Sequence, residues 1–430
     1  MQRSADLAKA HSGDAGWSWS PWRAVVGFGV VSLSADMVYE GARSITGPLL
    51  ASLGASALLV GLITGAGEAM ALVLRLVFGS WADRTGRYWA ITYAGYAVTA
   101  VCVPLLAVTP FLAGAGLAVA CFLILAERFG KAVRSPAKTA LLAHAASAVG
   151  LGRGFGVHKA LDQLGAVAGP LLVAAVAAAA GALWPAMAVL IIPGMAALLI
   201  LGWTRRRMGD LPGPAMDQPV RSAATEQVPE SERRLIRVRD LPTSFWLFAA
   251  AAGAATAGLV TFGVISFHLT TEHVLPVAAI PLVYAAAMAA EALAALATGS
   301  LFDRFKGRAL LVLPFLVATV PVLAFASSPL VAIVGVLIWG TAMGIQDSTV
   351  KALVADLVPT TKRATAYGVF AAVQGGAAVA GGALAGALYQ HSLPILIAVV
   401  GVTQIGAFVL IVATSRAVGH RSNPGTSAPS

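Results

Sequence analysis

Charge is scarce in this sequence. Only 11% of its 430 residues are charged, 58% are hydrophobic, and the mean hydropathy is +0.82. Soluble domains contain about 25% charged residues and roughly 45–50% apolar ones. This composition therefore argues against a soluble globular protein and directs attention to how the apolar residues are arranged.

Cysteine and the common catalytic motifs are also scarce or absent. Cys102 and Cys121 are the only cysteines, and both lie in apolar runs, so the sequence predicts neither a disulfide framework nor a zinc site. No G-x-x-x-x-G-K-[ST] loop is present to bind ATP, and no H-E-x-x-H motif is present to bind zinc. We therefore expect no enzyme activity and no cofactor, and any active process must draw on an ion or substrate gradient.

The apolar residues occur in long runs. A helix needs roughly 20 mostly apolar residues to cross about 30 Å of hydrocarbon. The sequence therefore predicts an all-α membrane protein whose twelve transmembrane helices lie at about 24–49, 56–80, 88–108, 112–136, 154–179, 184–203, 244–269, 277–300, 309–326, 330–354, 366–388 and 394–414.

The formal charge of +10 follows the predicted topology and does not indicate nucleic-acid binding. Lysine and arginine are absent from the gaps on one side of the predicted membrane, near Ser52, Pro110, Gly181, Glu272, Ser328 and His391. They collect in the alternate gaps and in the C-terminal tail. Because basic loops stay in the cytoplasm, we expect a multi-pass protein of the cell membrane with both termini cytoplasmic.

A polar stretch divides the chain into two halves. The expected parts are a cytoplasmic tail at 1–22, a six-helix bundle at 23–203, a cytoplasmic linker at 204–242, a second six-helix bundle at 243–415 and a disordered tail at 416–430. GSWADRTGR, which begins at Gly79, recurs as GSLFDRFKGR, which begins at Gly299. Such duplication predicts two pseudo-symmetric bundles with a substrate site between them.

The repeated segment resembles the loop signature of the major facilitator superfamily. Twelve spans, a 6+6 repeat and a central linker extend this resemblance over nearly the whole chain. It implies transport by alternating access, and it implies that the loop latches the two halves on the cytoplasmic side. A tight turn with topology-setting arginines is the alternative. The matching residues are Gly79, Asp83, Arg84, Gly86, Arg87, Gly299, Asp303, Arg304, Gly307 and Arg308.

Ionisable residues within spans are expensive and therefore indicate function. On the first span Asp36, Tyr39, Glu40 and Arg43 recur at helical spacing and share one face. Asp36 and Glu40 lie near mid-span. A carboxylate at that depth is either paired with a cation or protonated, and both states suit proton coupling.

The fourth span carries the expected cations. Glu127, Arg128, Lys131 and Arg134 fall within one sector roughly 120° wide. In the family the first and fourth helices of each half line the central cavity, so the resemblance places this sector opposite Asp36 and Glu40. The alternative for Arg134 is a surface position from which it snorkels.

Further candidates lie on the fifth and tenth spans. His158 and Asp162 share a face with Gly165, Gly169 and Pro170. These last three look like the glycine-proline motif of the family's antiporters, although Val173 and Ala174 replace the glycines that continue it. Close helix packing explains them equally well. On the tenth span, Asp347 and Lys351 are spaced to pair with each other.

We therefore predict a secondary active transporter that resembles the proton-coupled drug and metabolite antiporters and exports a small amphipathic compound. The alternative is a proton symporter that takes up an organic anion, which the basic residues of the fourth span would favour. A membrane protease would need a catalytic Ser/His pair, paired aspartates or a zinc motif, and a scaffold would not need charges at mid-span. The expected partners are a small-molecule substrate and the lipid bilayer, with no nucleic acid, and we expect a monomer.

Overall fold

The computed structural model describes residues 19–208, 241–305, 310–359 and 362–421, apart from a few side chains near 300–305, 349–364 and 415–421. The long elements of these residues are all α-helices. We number the spans in chain order: Pro21–Ser52, Ala57–Thr85, Tyr88–Leu105, Gly116–Ser147, Leu151–Ala180, Leu183–Ala188 with Ile191–Met208, Thr243–Gly258 with Phe262–Thr271, Ile280–Phe305, Leu313–Ala324, Pro329–Leu357, Arg363–His391 and Leu393–Arg421.

These helices confirm the predicted all-α fold of twelve spans. In the described part of the chain, eleven helical segments are long and apolar enough to cross a membrane, and Leu310–Ala324 is a shorter apolar helix at the position of the ninth span. Two expected boundaries differ. The sixth span continues to Met208, beyond the expected start of the linker, and the twelfth span continues to Arg421. The expected linker residues 209–240 and the tail after 421 lie outside the described residues.

The seventh span is broken into two helices between Gly258 and Phe262. Leu259 has an extended backbone conformation, which ends the first of these helices. A break inside a membrane frees backbone carbonyls that need partners. The indole Nε1 of Trp339 donates a hydrogen bond of 2.8 Å to the carbonyl of Val260, which supplies one such partner.

The two halves use the same arrangement of spans. In the first half, the first span contacts the fifth and sixth, and the fourth contacts the second and third. In the second half, the seventh span contacts the eleventh and twelfth, and the tenth contacts the eighth and ninth. The halves meet where the second span contacts the eleventh, the fifth contacts the eighth, and the first contacts the seventh. The pairings therefore follow a pseudo-two-fold relation between two bundles.

The halves approach most closely at one end of the molecule. We call the end that carries Pro21, Thr85, Tyr88 and Met208 the basic end, because Arg84, Arg87 and Arg205 lie there, and we call the other the opposite end. Towards the opposite end, glycines of the second and eleventh spans bring the two backbones into contact. A Cβ atom added at Gly61 or Gly382 would collide with the backbone of the other residue. Small residues allow such contact in lipid.

Hydrogen bonds join the halves in the same region. The hydroxyls of Thr64 and Thr261 lie 2.8 Å apart. The Tyr284 hydroxyl donates to Glu40 Oε2 at 2.5 Å, and the Leu58 amide donates to the side chain of Gln390 at 3.4 Å. The structure is therefore closed between the halves at the opposite end.

We predict that Gly382→Ala weakens this closure, because its Cβ would press on the backbone of Gly61 and overpacking costs about 1–3 kcal/mol. Distances between spin labels on the exposed residues Ser52 and His391 should lengthen or broaden. Gly376→Ala is the matched control on the same span, since nothing lies within 4 Å of a Cβ there. Equal distance distributions in both variants would contradict this account of the closure.

Candidate functional site

A cavity of about 220 Å³ lies between the two halves. Its walls come from the first, second, fourth and fifth spans on one side and from the eighth, tenth and eleventh spans on the other. Lys159 and Asp347, which line it, lie towards the basic end of their spans and are exposed. Because the halves close at the opposite end, the cavity opens towards the basic end.

Many of the predicted site residues line this cavity. The first span contributes all four of its candidates, the fourth and fifth spans contribute one each, and the tenth contributes one. These residues are Asp36, Tyr39, Glu40, Arg43, Lys131, Asp162 and Asp347. The helical face assigned to the first span from its spacing therefore faces the cavity.

Arg43 connects the charges nearest the closed end. Its guanidinium lies 2.9 Å from Glu68 Oε1 on the second span and 3.8 Å from Glu40 Oε2 one turn earlier on its own span. Glu40 also accepts the hydrogen bond from Tyr284 of the second half. One cation thus holds two carboxylates, and one of these carboxylates binds the other half of the molecule.

Asp162 organises a second cluster, nearer the basic end. It accepts a hydrogen bond of 2.8 Å from Ser32 on the first span, and Lys159 Nζ lies 3.0 Å from its Oδ2. Lys138 Nζ donates to the same Ser32 hydroxyl at 3.1 Å. Asp36 lies one turn beyond Ser32 on the first span and lines the same cavity as Asp162. Two acidic groups and two lysines therefore meet where the first, fourth and fifth spans converge.

Tyr39 holds the cations of the fourth span against the first. The ammonium of Lys131 lies 3.3 Å from the centroid of the Tyr39 ring, and the guanidinium carbon of Arg128 lies 4.3 Å from it. An aromatic face attracts a cation more strongly when both are shielded from water. The Tyr39 ring therefore fixes Lys131 at the cavity wall through a cation–π contact.

Four expected cavity residues do not line the cavity: Glu127, Arg128, Arg134 and His158. The 120° sector of the fourth span is divided between two neighbours. Arg134 turns to the third span, where it donates to Thr99 at 2.5 Å, and it is only 3% exposed, so it does not snorkel. Glu127 lies 3.6 Å from Arg128, which also approaches Glu68 at 3.7 Å. These charges lie close to opposite charges or polar groups of the first half, although Arg128 Nε and Nη1 are buried without a hydrogen-bond partner among the described residues.

Sequence reasoning did not place several lining residues in the site, namely Glu68, Arg75, Lys159, Gln163, Glu291, Gln346 and Gln374. A signal existed for Glu68, Arg75 and Glu291, because each is a charge inside a predicted span. The glutamines carry no comparable signal, since an uncharged amide inside a span is compatible with any polar contact. Lys159 was missed because the neighbouring His158 was assigned to the cavity-facing side.

The first copy of the repeated loop lies at the basic end and is exposed. Gly86 ends the second span in a left-handed conformation with φ of 64°, which explains a glycine there. The Tyr88 hydroxyl donates to Asp83 Oδ1 at 3.1 Å, while Arg84 and Arg87 are exposed. In the second copy Gly299 is exposed, whereas the side chains of Asp303 and Arg304, together with Gly307 and Arg308, lie outside the described residues, as does the Lys351 side chain.

The glycine-proline segment forms a helix contact. A Cβ at Gly165 would meet the backbone of Leu33, and one at Gly169 would meet the backbone of Met37, so the fifth span lies directly against the first. Pro170 is buried beside them. Close packing accounts for both glycines, and this contact also brings Asp162 to the first span.

Known proteins resemble this chain over most of its length. The family model described as Major Facilitator Superfamily matches residues 28–382 and 247–430. An uncharacterized protein of Mycobacterium tuberculosis is 50% identical over 414 residues, which is 96% of this chain and 98% of that protein. An uncharacterized MFS-type transporter of Methanocaldococcus jannaschii is 29% identical over 144 residues, or 34% of this chain and 35% of that protein.

Solved structures share the fold. A mutant of the nucleoside transporter NupG superposes with a TM-score of 0.71 at 12% identity, covering 91% of this chain and 99% of that one. A POT family transporter in complex with 5-aminolevulinic acid superposes with a TM-score of 0.70 at 13% identity, covering 92% of this chain and 96% of that one. A bacterial homolog of the human lysosomal transporter Spinster, in an inward-facing and occupied conformation, superposes with a TM-score of 0.64 at 15% identity, covering 96% of this chain and 100% of that one.

The fold, the repeat and the cavity between two halves agree with these matches. Such a cavity, closed at one end of the molecule, is the arrangement from which a secondary transporter works by alternating access. With the family model matching most of the sequence, this chain belongs to the major facilitator superfamily.

Proposed function

We propose that this chain is a proton-driven antiporter that exports a small compound across the cell membrane. In this proposal the basic end faces the cytoplasm, so the cavity is open to the inside. Substrate enters from the cytoplasm, the halves rock, and a proton from outside replaces the substrate. The positive-inside asymmetry of the sequence supports the orientation.

The observation that carries proton coupling is the placement of two carboxyl groups, those of Asp36 and Asp162, in one cavity. Both line the cavity, and Asp162 accepts a hydrogen bond from Ser32, which lies one turn before Asp36 on the first span. Two neighbouring carboxyl groups repel each other unless one of them carries a proton. The pair therefore provides a place for one proton in a position that the cavity can reach.

The surrounding lysines give substrate a means to act on that proton. Lys159 binds Asp162 directly, and Lys138 reaches it through Ser32. A substrate that draws either lysine away removes positive charge from the pair and favours its protonated state. A substrate that brings a cation to the pair favours loss of the proton. The first effect would make substrate and proton bind together, as in symport, and only the second makes them exchange, as the proposed antiport requires.

Uptake of an organic anion by symport is the alternative, and it has less support. It relied on the basic sector of the fourth span, of which only Lys131 lines the cavity. The export assignment also relied on the glycine-proline segment, whose glycines serve helix packing. The direction is therefore tested by experiment: in vesicles of known orientation, an imposed pH difference should drive substrate against the proton flow for antiport and with it for symport.

We predict that Asp36→Asn abolishes gradient-driven transport while leaving membrane insertion intact, because an amide cannot exchange a proton with Asp162. Glu40→Gln should also lose gradient-driven transport, since it weakens the contacts with Arg43 and Tyr284. Flux driven by a pH difference is measured in proteoliposomes. Glu272→Gln, which changes an exposed carboxylate outside the cavity, is the control. Full proton-driven flux in both cavity variants would refute the coupling assignment.

We predict that Asp83→Ala slows the transport cycle more than it weakens substrate binding. Asp83 is exposed in this structure, whose cavity opens at the basic end, and its proposed latch forms only when that end closes. Tyr88→Phe is the comparison, because it removes the hydrogen bond within the loop and keeps the carboxylate.

Turnover and equilibrium binding are measured on both loop variants. Slower turnover in Asp83→Ala with normal turnover in Tyr88→Phe supports the latch. A loss of affinity alone, with unchanged turnover at saturation, contradicts it.

A further inference from the structure

The ionisable groups that line the cavity differ in whether the protein itself pairs them. Glu40 and Glu68 bind Arg43, and Asp162 binds Lys159. These groups are already neutralised in part and need no ligand. Asp36 also lines the cavity without an ion pair in the part of the chain that the structure describes, and the proposed function assigns it to the proton site with Asp162. Four other lining groups have no ion pair within 4.0 Å among the described residues: Arg75, Lys131, Glu291 and Asp347.

The four unpaired groups are separated by sign between the halves. Arg75 and Lys131 belong to the second and fourth spans, and we call them the positive wall. Glu291 and Asp347 belong to the eighth and tenth spans, and we call them the negative wall. Arg75 and Asp347 line the cavity from different halves and form no ion pair within 4.0 Å among the described residues. The space between them is the interior of the cavity.

The positive wall has donors ready for an anion. Among the described residues, the Nε atom of Arg75 is buried and has no hydrogen-bond partner. A buried donor without a partner is costly, and the cost is recovered when an acceptor arrives. Lys131 rests on the face of Tyr39, and without an ion pair within 4.0 Å in the described part of the chain its ammonium can donate to an anion.

The negative wall has acceptors ready for a cation. Beside Asp347, the Gln346 amide nitrogen donates to Thr256 at 3.0 Å, and its Oε1 atom is buried without a partner in the part of the chain that the structure describes. Glu291 lies on the neighbouring eighth span and lines the same cavity. Carboxylate and amide oxygens accept hydrogen bonds from an ammonium group.

The size of the cavity limits what can join the two walls. Its volume of about 220 Å³ is below the range of roughly 300–1,000 Å³ for sites that take drug-sized ligands. A small ligand with one charge would neutralise one wall and leave the other without a partner of opposite charge. A ligand with both charges satisfies both walls.

On the basis of the proposed transport function, we propose that the substrate is a small zwitterion, of about the size of an amino acid, with its anionic group on Arg75 and Lys131 and its ammonium group on Glu291 and Asp347. Because each charge contacts a different half of the molecule, such a ligand draws the two halves together across the open cavity. Binding then favours closure of the basic end.

The test measures binding to the purified full-length protein by calorimetry. The probes are glycine, leucine, γ-aminobutyrate and ε-aminocaproate, which separate the two charges by different lengths, each with a carboxylate-only and an amine-only analogue of matched size. At least one zwitterion should bind roughly ten- to hundredfold more tightly than both of its analogues. Equal affinity for a zwitterion and a singly charged analogue, or no binding by any zwitterion, overturns the proposal.

Variants of the two walls assign each end of the ligand. Arg75→Gln should lower zwitterion affinity roughly ten- to hundredfold and leave the affinity of the amine-only analogue unchanged. Asp347→Asn should do the reverse, sparing the carboxylate-only analogue. Arg153→Gln, which changes an exposed arginine outside the cavity, is the matched control and should bind like the parent chain. Equal losses for all probes in either wall variant contradict the assignment.

Thermal unfolding without ligand identifies variants that fail for structural reasons. If Arg75→Gln does not fold, Arg75→Lys and Lys131→Gln take its place: the first should retain zwitterion preference and the second should lose it.

Binding also separates this inference from the proposed function. Zwitterion binding without flux driven by a pH difference refutes proton antiport alone, whereas proton-driven export of a non-zwitterion, with no zwitterion binding, refutes this inference alone.

Discussion

Arg43 is the residue on which the charged interior of this protein depends. It is placed well inside the first span, where an unpaired charge would cost several kcal/mol, and it holds Glu68 of the second span and Glu40 of its own. Glu68 in turn approaches Arg128 of the fourth span. Without the guanidinium, two carboxylates would face each other across a site of low polarity. The helices of the first half are thus fixed by charge as well as by shape.

The same cluster connects the cavity to the closed end. Glu40 belongs to the first half and accepts a hydrogen bond from Tyr284 of the second, whose ring packs on Phe262 and lies near Trp339. A change in the charge of Glu40 therefore alters a contact between the halves as well as the field in the cavity. Closure of the opposite end is therefore coupled to the charge of Glu40 in the cavity. A transport cycle requires such coupling between the site and the conformation.

The fold was predictable because its signals are long and redundant. Each span is a run of more than a dozen apolar residues, the arginine-free gaps alternate with basic ones, and GSWADRTGR occurs twice. The seventh span shows the limit of this reasoning. Its apolar run is continuous in sequence, yet the helix breaks after Gly258. Trp339, 79 residues away, donates a hydrogen bond to Val260 at this break, and the local sequence does not reveal that partner.

The candidate site was predictable on the first span and less so on the fourth. Spacing assigns residues to a face, but it does not say which neighbour that face meets. On the first span the whole charged face turns to one cavity. On the fourth, Lys131 turns to Tyr39 while Arg134 turns to Thr99, although they are a single turn apart. The directions in which the two side chains leave the helix differ by a fraction of a turn. This difference decides that Lys131 lines the cavity and that Arg134 contacts a neighbouring helix.

The positions of the two kinds of charge suggest how the protein divides its work. Groups with internal partners, such as Arg43 and Asp162, lie where the first span meets its neighbours in the first half. Charged groups without internal partners lie on the positive and negative walls, which belong to different halves. The ion pairs of the described residues all lie in the first bundle and stabilise it, because breaking a buried pair is costly. In our proposal the unpaired groups remain separated until a ligand joins them. A charged cavity can therefore be both stable when empty and responsive when filled, since the charges that stabilise the bundles are not the ones that the ligand must neutralise.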